Sequence, residues 1–78
     1  MGIVSGVVTY SSGQAKPGAK VEVSVGGING GFAECRTDSQ GRFLCQWNGN
    51  APARKIFCEG REVARDIESG SSNLHFIG

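Results

Sequence analysis

Seventy-eight residues make one domain spanning 1–78, and a chain this short buries only about 60–65% of its unfolded surface, which leaves little room for a deep pocket. Its formal charge is +1, from eight basic and seven acidic side chains spread along the chain, so it lacks the electrostatic footprint of a nucleic-acid binder or of a protein drawn to an anionic membrane. Thirteen glycines suit short strands and tight turns and argue against a helical protein.

The chain opens Met1-Gly2-Ile3-Val4-Ser5, with neither the basic nor the apolar region of a signal peptide. No stretch nears the roughly 18 apolar residues of a membrane-spanning helix, so no membrane insertion is expected. These features suit a mature or trimmed domain and a small cytoplasmic protein equally well.

Period-two alternation broken by turn residues runs from end to end. Residues 3–10 are rich in β-branched side chains and read as a first strand, with Val7 assigned to the core. Residues 11–18 form a loop in which Gly13, Pro17 and Gly18 supply turn conformations. The next strand, 19–25, has the cleanest pattern: Ala19, Val21, Val23 and Val25 lie on one face, and Lys20, Glu22 and Ser24 on the other. A glycine-rich connection at 26–31 leads to a third strand over 32–37. Asp38-Ser39-Gln40-Gly41 is a turn signal, with Asp38 accepting backbone N–H bonds and Gly41 taking a left-handed position.

The fourth strand, 42–47, puts Phe43, Cys45 and Trp47 on one face. After a loop at 48–52 come a fifth strand over 54–58 with Ile56 in the core, a tight turn at Glu59-Gly60, a sixth strand over 61–67 and a seventh over 73–77. Seven short strands with regular turns predict an all-β antiparallel sandwich or a partly open barrel.

Candidate chemistry is sparse. Cys35, Cys45 and Cys58 lack zinc-finger spacing, and their odd number leaves at least one thiol unpaired within the chain. Cys45 and Cys58 read as small core residues. Cys35 lies on the strand that turns back into the strand of Cys45, so whether these two form a cross-strand disulfide stays open. His75 is the one histidine, with no orienting carboxylate beside it in sequence, and reads as a solvated strand residue. Asp38 stands apart from the several carboxylates a calcium site needs, so no metal is expected, nor any cofactor.

The basic residues are interleaved with Glu34, Glu59, Glu62 and Asp66, which predicts cross-strand pairing on solvated faces. Trp47 with Asn48 and Asn50 is the kind of aromatic–amide pairing that stacks and fixes sugars, although Trp47 also continues the core face of its strand.

The frame Val4-Ser5-Gly6-Val7-Val8, then Gly13 and Pro17-Gly18-Ala19-Lys20-Val21-Glu22-Val23, resembles the opening of carboxypeptidase regulatory-like domains. The resemblance continues through Thr37-Asp38-Ser39-Gln40-Gly41-Arg42-Phe43 and through Lys55-Ile56-Phe57-Cys58-Glu59-Gly60 into Arg61-Glu62-Val63. It implies a seven-stranded Greek-key sandwich of the transthyretin-like (prealbumin-like) kind, acting as an accessory module and commonly outside the cytoplasm. The chain departs from the family in having Arg61 after the turn glycine, where an aromatic is usual, and in its three cysteines. Transthyretin-like hydrolases use several histidines, and this chain has one.

The reading that emerges is a non-catalytic structural or protein-interaction module, with a protein partner or the other domains of a parent chain as its counterpart. Its loops at 26–31 and 48–52, or an exposed strand edge, would carry recognition. The alternative is a small carbohydrate-binding domain using Trp47, Asn48 and Asn50.

Overall fold

Alternating apolar side chains on extended segments leave water by facing a second sheet, and this chain adopts that solution. A computed structural model describes residues 2–26, 31–49 and 51–78. Its seven strands are β1 (Gly2–Thr9), β2 (Lys20–Val25), β3 (Gly31–Arg36), β4 (Arg42–Trp47), β5 (Ala53–Cys58), β6 (Arg61–Ile67) and β7 (Ser71–Ile77). They form a three-stranded sheet, β4-β1-β7, packed on a four-stranded sheet, β3-β2-β5-β6. All neighbours are antiparallel except β1 and β7, which run parallel.

The core is a single layer between the sheets. Val21 and Val23 of β2 and Ile56 of β5 meet Val4 and Val8 of β1 and Phe43, Cys45 and Trp47 of β4, all buried. Phe76 of β7 lies on Phe43, with ring centroids 5.6 Å apart and planes 18° from parallel. Such offset stacking favours the pair beyond simple burial.

Val7 is not part of this core. Val4 and Val8 point inward with Gly6 between them, so Val7 faces out and is half-buried. The run Ile3-Val4…Val7-Val8 carries apolar residues of both parities, so alternation alone could not set its phase.

The two cysteines in question are bridged: Cys35 and Cys45 form a disulfide, with Cα atoms 5.5 Å apart. Their strands are not a hydrogen-bonded hairpin, however. β3 is an edge of one sheet and β4 an edge of the other, so the bond crosses the core and ties the sheets together. Cys58 remains a free, buried thiol. The opposite side of the sandwich is held differently. Arg61, where the resemblance implies an aromatic, donates from Nη2 to the Ile77 carbonyl at 2.6 Å and so links β6 to β7.

Phe43→Ala removes the Phe76 stack and empties the centre of this layer. It should cost about 3–5 kcal/mol, comparable with the whole stability of so small a domain. Urea denaturation followed by circular dichroism checks this; an unchanged midpoint would place the core elsewhere.

Candidate functional site

The residues with the most chemical potential converge where the chain leaves β3 and enters β4. Thr37, the one buried polar residue among those described, sits at that crossing. Its hydroxyl donates to the Lys16 carbonyl at 2.6 Å and accepts from the Ala19 amide at 2.8 Å. Its backbone N–H donates to Ala19 O, and its carbonyl accepts from Gly18 N, each at 3.0 Å. One threonine thus satisfies both sides of the Pro17-Gly18-Ala19 entry to β2.

Asp38 follows and closes the turn. Its Oδ1 accepts from the amides of Gln40 at 2.8 Å and Arg42 at 2.9 Å. Its own amide donates to Arg42 O. Gly41 has φ of 76°, and a Cβ there would sit 2.6 Å from the Val8 carbonyl oxygen, so both the conformation and the space require glycine. Gly13, Gly18 and Gly60 also have positive φ; Glu59 and Gly60 make the two-residue connection between β5 and β6. Pro17 is exposed in the loop before β2.

Beside this corner, a shallow groove of about 540 Å³ runs over the outer face of the three-stranded sheet, lined by Ser5, Val7, Arg42, Leu44 and His75 among others. Asp38 also borders it, with one carboxylate oxygen held by its own turn. His75 is exposed, and its Nε2 lies 2.7 Å from Thr9 Oγ1. No group of three or more metal-ligating side chains occurs among the described residues.

Trp47 is buried. Its indole N–H donates to the Ala51 carbonyl at 2.9 Å, and Gly2 lies against the ring so closely that a Cβ there would overlap it. Trp47 thus lies on the core face of β4, and the alternative sugar platform lacks its ring: Asn48 is exposed, and Asn50 lies outside the described residues. Residues 27–30 of the glycine-rich loop lie outside them as well.

The outer face of the four-stranded sheet carries ion pairs beside the exposed Phe32 and the half-buried Phe57. Glu22 stands opposite Glu34 across β2 and β3, and Lys20 Nζ lies 3.9 Å and 3.7 Å from their carboxylates. Glu62 faces Lys55 at 4.0 Å and Arg65 at 2.9 Å. Lys20–Glu34 and Lys55–Glu62 pair across strands, while Lys20–Glu22 and Arg65–Glu62 pair within one, all on an exposed surface where such pairs add little stability. Burial pushes the Cys58 thiol pKa up, which disfavours its thiolate.

Thr37 and Arg61 are the residues that reasoning from sequence missed as contributors. Thr37 is signalled only by its place in the Thr37–Phe43 turn motif. Arg61 is signalled only by standing where an aromatic is usual. No family model, curated protein or solved structure matches this chain.

The backbone amides of Arg42 and, next, Gln40 hold the Asp38 carboxyl below the ordinary aspartate range. A depressed folded-state pKa means that this contribution is present above the unfolded value, near about pH 4, and is lost as pH falls through the lower folded value. Asp38→Asn keeps an Oδ1 acceptor without the charge, so its stability should fall less steeply on the acid side. Thermal midpoints across the acid range check this; parallel pH profiles for the two proteins would contradict it.

Proposed function

We propose that this chain is a non-catalytic interaction module, accessory to a larger protein or assembly, built as a transthyretin-like (prealbumin-like) Greek-key sandwich. Supporting the Greek key, β2, β3 and β4 follow one another around the two sheets, and β5 returns to lie beside β2. Supporting a non-catalytic role, Thr37, the Trp47 indole and two of the three cysteines are engaged in holding the frame, and so is one oxygen of Asp38.

The observation that carries the interaction reading is the contrast between the two outer faces. One is laced with ion pairs, its apolar residues Phe32 and Phe57 standing among charged neighbours. The other presents Ile3, Val7, Leu44 and Ile77 among Ser5, Thr9, Gln46 and His75, with Leu44 and Ile77 about half exposed. A mixed apolar face on so small a domain suits contact with a protein surface. The Cys35–Cys45 bond supports work in an oxidising compartment, in keeping with the extracytoplasmic setting that the resemblance implies.

A photo-crosslinking residue at Leu44, compared with one at Glu22, tests this in the native host. The module reading expects a crosslink to a different protein from position 44 and none from position 22. Equal capture at both positions, none at position 44, or turnover by the purified domain on a panel of hydrolase substrates would overturn it.

A further inference from the structure

The four sheet edges are not alike. β6 and β7 each contain a residue with left-handed backbone, Asp66 with φ of 52° and Asn73 with φ of 60°, which kinks the strand and spoils it for pairing. β4 has its first outward groups occupied, because Arg42 N and O both bond to Asp38. β3 has none of these protections. It contains no proline, no lysine and no positive φ outside glycine, and among the described residues its only ladder partner is β2.

The hydrogen-bond phase of β3 follows from its neighbours. Ala19 O accepts from Thr37 N, while Lys20 O accepts from Glu59 N, so odd-numbered residues of β2 bond towards β3 and even-numbered ones towards β5. Gly31, Ala33 and Cys35 therefore bond to β2. Phe32, Glu34 and Arg36 aim their N–H and C=O groups outward, and none has a backbone partner among the described residues. The same three side chains lie on the outer face, where Phe32, at 74% accessible, is the most exposed of the large apolar residues described.

We propose that β3 pairs antiparallel with β3 of a second copy of this chain, about a two-fold axis at Cys35, to give a continuous eight-stranded sheet. Charge selects both the partner and the register. An axis at Cys35 sets each Glu34 opposite Arg36 of the other copy, both as hydrogen-bonded pairs, so the strand complements itself twice. An axis at Glu34 would oppose the two carboxylates. In the chosen register each Phe32 lies diagonal to Arg36 of the other copy, within reach of its guanidinium. The disulfide holds Cys35 at the axis to the other sheet, so the edge is presented as a rigid template. The contact is a single strand wide and largely backbone, and its association is expected to be weak and salt-sensitive.

Sedimentation velocity on the full chain over a wide concentration range, at low salt, tests this. E34R and R36E each place like charges opposite one another and should weaken dimerisation at least about tenfold, and E34R/R36E, which swaps the pair, should recover it to within about threefold of the native chain. Amide resonances provide a test without substitution: on concentrating the native protein, Phe32, Glu34 and Arg36 should shift or broaden while Asp66 and Asn73 do not. A native chain that stays monomeric, single reversals without effect, a double variant that does not recover, or concentration-dependent shifts centred on another edge would each overturn the proposal.

Discussion

Everything in this fold depends on how the chain crosses from the four-stranded sheet to the three-stranded one between β3 and β4. A sandwich with one layer of core side chains has few contacts to spare, so the crossing must hold the sheets at a fixed separation. It does so with three local devices within ten residues. The Thr37 hydroxyl clamps the entry to β2, the Asp38 carboxylate shapes the turn, and Gly41 lets the chain run against the Val8 backbone. The Cys35–Cys45 bond then closes the corner covalently across the core. A disulfide that closes so short a loop typically adds about 2–4 kcal/mol, a large share for a domain of this size.

The same economy shows in how the side chains are used. In so small a domain several polar and sulfur groups are taken up in holding the frame: Thr37 at the entry to β2, and Cys35 and Cys45 in their disulfide. The tryptophan closes one end of the core and bonds to the adjoining loop, and the free thiol of Cys58 is buried. The faces and edges differ: one face carries ion pairs around Phe32 and Phe57, the other is mixed apolar, and among the described residues the β3 edge carries a row of unpaired backbone groups.

Where apolar residues alternated cleanly, the fold was legible from sequence alone. Val21 and Val23 on β2 lie buried, their phase legible from Lys20, Glu22 and Ser24 around them, and Phe43 is buried on the same face of β4 as Cys45 and Trp47. The turn at Asp38–Gly41 could be read because each residue type there has one conformational use. Val7 was misplaced because β1 is apolar on both parities, and the choice between them was made by the opposing sheet. The disulfide was undecidable from spacing, since the geometry that joins Cys35 to Cys45 comes from two sheets meeting rather than from a hairpin. Trp47 was legible as the third core residue of β4; the Gly2 and Ala51 contacts that fix its ring carry no sequence signal. Arg61 reaches a β7 carbonyl sixteen residues on, a contact that local pattern could not anticipate.

If the β3–β4 corner holds the sheets together as one cooperative unit, it cannot open before the rest of the domain does. Native-state hydrogen exchange measures this directly at the amides of Ala19, Thr37, Gly41 and Arg42. The account predicts that all four exchange only through global unfolding, with the same opening free energy as Val21 and Val23. Exchange of these four at a clearly lower free energy, with the β5–β6 hairpin still protected, would contradict it.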